Sequence, residues 1–139
     1  MDVQINYLAV LVAGLSSMVV GTLWYGPLFG KEWMKLVKLD KKRSREEMPL
    51  VMGSTVVLSL LMAYILAHVA FISAHFFDYT FMHACLTTAF WLWLGVIVPA
   101  IVIGGLFEQR RKKLIFLNIS NQLVTVLVMA LILGWFGTN

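Results

Sequence analysis

The chain has 139 residues, is 60% hydrophobic and 13% charged, and carries a formal net charge of +4. All eleven Lys and Arg lie in Lys31–Arg45 and Arg110–Lys113, and the mean hydropathy is +0.86, a pattern that excludes an ordinary wetted globular surface. That confinement sets the positive charge beside anionic lipid headgroups rather than nucleic acid, and the single cysteine, Cys85, excludes a disulfide framework or a paired metal thiolate.

The first apolar stretch, Gln4–Trp24, follows a Met-Asp start with no basic segment before it. It therefore reads as a permanent span rather than a cleaved signal. Ala13, Ser17 and Gly21 recur every four residues and form a small-residue seam for close helix contact. Trp24, Tyr25 and Trp33 read as an aromatic belt at the inner boundary, with Tyr7, Trp135 and Phe136 at the outer one.

Gly26-Pro27 predicts the end of the first helix. The segment 28–39 then reads as a short amphipathic helix on the cytoplasmic leaflet, with a solvated basic loop as the alternative. Lys31, Lys35, Lys38 and Lys42 share one helical face, and Phe29, Trp33, Leu36 and Val37 fall on another. The basic face would meet anionic headgroups or a protein partner.

The second span, Leu50–Ser73, carries Ser54, Thr55 and Ser59 in its inner half. His75 and Asp78 mark a turn at Ala74–Thr80, because an unbroken apolar run from 50 to 107 is too long for one crossing. The third span, Phe81–Phe107, contains Gly95 and Pro99, which predict a kink. Glu108, before the basic run Arg110–Lys113, reads as a local ion pair, or else as a residue shaping a cytoplasmic mouth.

The fourth span, Leu114–Phe136, carries Asn118, Asn121, Gln122 and Thr125 at i, i+3, i+4 and i+7. Two readings of this stripe are open. It glues the bundle together, or with Ser59 it lines a polar cavity open to the cytoplasm. No ionisable group accompanies it deep in the span, so proton-coupled pumping has little support.

The positive-inside rule sets loops 25–49 and 108–113 in the cytoplasm, and both termini with the 74–80 turn outside. His68, His75 and His83 are the remaining candidate metal or haem ligands, but their spacing matches no ligand motif. Spans one and three share Gly26-Pro27-Leu28-Phe29 and Gly104-Gly105-Leu106-Phe107. Spans two and four share Met62–His68 and Met129–Trp135. These pairs suggest two helical hairpins repeated in the same orientation.

Asn6-Tyr7, then Trp24-Tyr25-Gly26-Pro27-Leu28-Phe29-Gly30-Lys31 with Trp33, resembles the small bacterial membrane family catalogued as domain of unknown function 1761. The likeness continues through Trp93-x-Gly95, Pro99, Leu106-Phe107-Glu108, Leu114-x-x-x-Asn118 and Gly134-Trp135. It covers almost the whole chain, with the purely basic turn Arg110–Lys113 as its apparent departure. The resemblance implies a four-span protein of unassigned activity and supplies no catalytic residues. It gives the Trp24–Trp33 segment added weight as a family-defining element.

The expectation is thus a single all-α, four-span domain of the inner membrane with no cofactor, forming a homo-oligomer through its small-residue seams. No catalytic constellation is present, so an enzyme is not expected. The leading functional class is small-solute transport or binding. The alternatives are an accessory subunit docking through the basic first loop and, more weakly, a histidine-ligated redox protein.

Overall fold

The computed structural model describes residues 2–37 and 41–138. Its helices are α1 Tyr7–Leu28, α2 Gly30–Leu36, α3 Lys41–Phe77, α4 Phe81–Phe107 and α5 Lys112–Phe136. All except α2 are long and apolar enough to cross a membrane, which marks a multi-pass membrane protein by length and composition. They form an up-and-down bundle in which α1 and α4 each pack against both α3 and α5.

The third and fourth spans stand close to where hydropathy sets them, but α3 does not. It begins at Lys41 and runs for 37 residues, about 55 Å at 1.5 Å per residue. Much of the expected first loop is therefore helical. Lys, Arg and Glu are good helix formers, and Arg43 pairs with Glu47 one turn on at 3.0 Å.

This changes the reading of the basic face. Lys42 belongs to α3 and cannot share a surface helix with Lys31 and Lys35, while Lys38 lies outside the described residues. The surface helix α2 has only seven residues and closes at Val37, whose backbone is extended (φ −106°, ψ 125°). β-Branched Val suits that conformation better than another helical turn.

The first helix also runs past Gly26-Pro27 rather than ending there. Residues Trp24–Leu28 form a π-helical turn with Pro27 inside it, and the Phe29 N–H donates to the Trp24 carbonyl at 2.9 Å. The wider turn accommodates a ring that would crowd an α-helical carbonyl and supplies no N–H. The helix finally breaks at Phe29 (φ −125°, ψ 14°).

A second π-helical turn, Trp93–Ile97, lies in α4 just before Pro99. It occupies the place where Gly95 and Pro99 predict a kink. Both π-turns open with Trp-x-Gly. Gly104–Phe107, by contrast, is ordinary α-helix, so its likeness to Gly26–Phe29 does not extend to the backbone.

The bundle is closed by small side chains. Ala13, Ala63, Ala70, Ala84, Ala89 and Ala130 have no exposed surface, and Met129 and Leu133 fill the space between them. Ser17 donates to Ser59 across the α1–α3 seam at 2.7 Å. Ala13 and Ser17 therefore serve the predicted seam, whereas Gly21 has open space beside it and its place is taken by Gly14 against Leu60.

The α3–α4 and α4–α5 turns are built alike. Asp78 and Gln109 take positive φ (55° and 54°), and the following N–H reaches back five residues, Tyr79 to Ala74 at 3.0 Å and Arg110 to Gly105 at 2.8 Å. Thr80 then caps α4 by accepting from the His83 N–H at 3.3 Å.

A Cβ on Gly134 would stand 2.9 Å from the Met82 Cα, so α4 and α5 cannot keep their separation. Gly134→Ala is expected to destabilise by about 1–3 kcal/mol. Gly53→Ala, at an open helical site, should stabilise by about 0.5–1 kcal/mol. Thermal unfolding in detergent should show opposite shifts for the two variants.

Candidate functional site

Polar side chains gather around the half of α5 nearest the basic turns. Tyr25, carried by the α1 π-turn, donates its hydroxyl hydrogen to Asn118 Oδ1 at 2.8 Å. From the opposite side, Trp93 of the α4 π-turn donates its indole N–H to the Ile119 carbonyl at 3.0 Å. The two π-turns thus grip α5 at neighbouring residues. In apolar surroundings such pairings matter because the donors have no water to fall back on.

A cleft of about 410 Å³ opens beside this grip. Tyr25, Asn118 and Gln122 form its polar wall, with Ala100, Gly104 and Gly105 opposite and Glu108 and Arg110 at its rim. Small residues on α4 keep that wall low. Glu108 and Arg110 pair at 2.5 Å, so the expected local ion pair also shapes a mouth.

The predicted stripe on α5 divides between two environments. Asn118 and Gln122 face the cleft, whereas Asn121 and Thr125 are buried. Thr125 donates to the Asn121 carbonyl one turn back at 2.8 Å. Asn121 Oδ1 and Gln122 Oε1 are both buried without a hydrogen-bond partner, as is the Trp24 indole nitrogen. Ser59 is engaged with Ser17 and takes no part in lining the cleft.

The Trp24–Trp33 motif acts as the support for Tyr25. Trp24 packs on Phe29 with ring centroids 4.5 Å apart, and Tyr25 packs on Trp33 at 5.3 Å. A Cβ on Gly30 would lie 3.0 Å from the Tyr25 carbonyl oxygen, so Gly30 lets α2 fold closely under the π-turn. Trp24, Tyr25 and Trp33 are half-buried. They are held in these two ring pairs, while Tyr7 and Trp135 at the opposite end are exposed.

Helix α2 lies below the cleft and is fastened by Glu32, which meets Lys113 Nζ at 2.6 Å. The hydrogen bond and charge of Lys113 hold the Glu32 carboxyl below the usual carboxylate range. Lys31 and Lys35 remain exposed on α2.

The histidines do not converge. His75 Nδ1 contacts the Phe71 carbonyl at 2.9 Å, His68 Nδ1 is buried without a partner, and His83 packs edge-on to Tyr79. Among the described residues no three His, Cys, Asp or Glu side chains are grouped to hold a metal ion. Cys85 is buried in the core, as a small hydrophobe would be.

The description "Protein of unknown function (DUF1761)" belongs to the family model that matches residues 8–134. The chain is a member of that family. No curated protein and no solved structure matches it. The match runs through both π-turns, the cleft and the paired turns, so the site described above lies wholly within the family domain.

Sequence reasoning named Tyr25, Asn118 and Gln122 but gave no site role to Trp93, Gly104, Gly105 or Arg110. The available signal was Trp-x-Gly ahead of a proline, present at Trp24 and again at Trp93. Its repetition marks two places where a wide turn aims an aromatic donor at α5.

Lys113→Gln should release α2 without disturbing the long helices. Hydrogen exchange should rise in residues 30–36 and stay unchanged in the buried core. The depressed Glu32 carboxyl stabilises the contact above the usual carboxylate range, and the contact is lost as pH falls through the lowered value. Acidification or high salt should therefore reproduce the variant's exchange pattern in the wild-type chain.

Proposed function

We propose that the protein binds a small polar solute in the cleft beside Asn118 and Gln122, as the inward-facing step of transport across the membrane. One observation carries the reading: Gln122, whose carboxamide oxygen is buried without a partner, lines a cleft together with Tyr25 and Asn118. A carboxamide both donates and accepts, so the cleft suits an uncharged or zwitterionic solute with mixed hydrogen-bonding groups. The Glu108–Arg110 pair at the rim adds one group of each sign.

In this reading the basic turns and α2 face the cytoplasm and the termini lie outside, following the positive-inside rule. The opposite half of the bundle is filled by Ala63, Ala70, Met129, Ala130 and Leu133. That packing supports a closed outer side, so passage requires the helices to separate there. Two hairpins related by an axis along the membrane normal would supply the moving parts. The π-turns, one in the first long helix of each hairpin, support such a repeat.

The test is thiol accessibility, with Cys85 replaced by Ala. Cysteines at 118 and 122 should react with a membrane-impermeant reagent supplied from the cytoplasmic side, and a cysteine at 125 should react at least tenfold more slowly. Protection of both 118 and 122 from that side would remove the aqueous cleft and with it this reading.

A further inference from the structure

The seam between α3 and α4 holds a second concavity, separate from the cleft. Its upper part, about 450 Å³, lies near the hairpin turn between Ser73 on α3 and His83 and Thr88 on α4. Its lower part, about 380 Å³, is lined almost wholly by apolar atoms from Leu58, Leu61 and Ile65 of α3 and Val96 of α4. Leu92 borders both parts, so the two follow one another along the seam. From Leu58 to Phe77 the helix rises about 28 Å, close to the roughly 30 Å of a hydrocarbon core.

The polar part has unused hydrogen-bonding capacity. Thr88 is only 8% exposed, yet its hydroxyl, like that of Ser73 and the His83 imidazole, bonds to no described residue. Neighbouring Thr87 differs, donating to the His83 carbonyl at 2.9 Å and lying 3.2 Å from that of Ala84. A hydroxyl that faces a groove in apolar surroundings without a protein partner gains from an occupant that can bond to it.

Charge narrows the occupant. Among the described residues no Lys, Arg, Asp or Glu lines either part, and every described Lys and Arg belongs to the opposite, basic end. A phosphate or carboxylate here would be buried beside no cation. An uncharged head that exchanges hydrogen bonds with hydroxyls and an imidazole has no such cost. The groove follows a single helix seam, so it receives one chain.

We propose that the α3–α4 seam binds a neutral single-chain amphiphile, its uncharged head among Ser73, His83 and Thr88 and its chain along Leu61, Ile65 and Val96. The groove accepts it sideways from the bilayer, at the end of the bundle away from the solute cleft. The site is independent of the solute reading.

The experiment is native mass spectrometry of the full chain in detergent, titrated with monoolein and, separately, with oleoyl lysophosphatidylglycerol. The two probes carry the same chain, and only the second is charged. One monoolein per protomer is expected, bound at least tenfold more tightly than the charged probe. Ser73→Ala with Thr88→Val should weaken monoolein about tenfold by removing partners for the head. Leu61→Trp should do the same by filling the chain end. The variants alter opposite ends, so either serves if the other does not fold. Equal affinity for the two probes, or wild-type monoolein affinity in a folded variant, overturns the proposal.

Discussion

Backbone and side-chain donors inside an apolar bundle must find acceptors within the protein, and Pro27 and Pro99, two of the three prolines within the long helices, bring that constraint to a head. Pro27 and Pro99 each withhold an N–H from α1 or α4. A π-turn contains Pro27 and another immediately precedes Pro99. A π-turn is wider than the helix around it, and it changes the direction of the side chains it carries. Tyr25 and Trp93 reach Asn118 and Ile119 from these turns, so local backbone relief sets the registry of α1 and α4 on α5.

Close helix approach makes that registry rigid. Gly14, Gly105 and Gly134 each stand where a Cβ would collide with a facing side chain or backbone. Buried alanines occupy the remaining contacts. With little hydrophobic force between helices in lipid, such contacts depend on van der Waals fit. The basic half is looser because Ala100 and Gly104 leave room beside Asn118 and Gln122. Tight packing at one end and a polar recess at the other follow from where the small residues lie against large ones.

The two concavities differ in chemistry as well as place. The cleft carries carboxamides, a phenol and an ion pair at the basic end. The α3–α4 seam carries hydroxyls and an imidazole at the hairpin end and then turns almost wholly apolar. In the readings proposed above, one receives a solute from water and the other a molecule from the bilayer. Helix α2 bears on the first through Tyr25–Trp33 and Glu32–Lys113, and lies at the far end of the bundle from the polar part of the second.

Hydropathy and charge placement sufficed for the four apolar helices, the small-residue contact at Ala13 and Ser17, and Asn118 and Gln122 as residues of one polar recess. These are properties of one chain segment at a time: an apolar run long enough to cross, or a period that sets residues on one helical face. The length of α3, the division of the α5 stripe and the role of Trp93 have a different origin. Asn121 and Gln122 are adjacent in sequence, yet only Gln122 meets the cleft, because α1 and α4 approach α5 from two directions. Whether Gly26-Pro27 ends a helix or sits in a π-turn likewise depends on the Phe29, Gly30 and Trp33 contacts that fold back beneath it. Such outcomes are settled by which neighbour supplies the missing hydrogen bond or fills the adjoining space, and the hydropathy of one segment does not specify that neighbour.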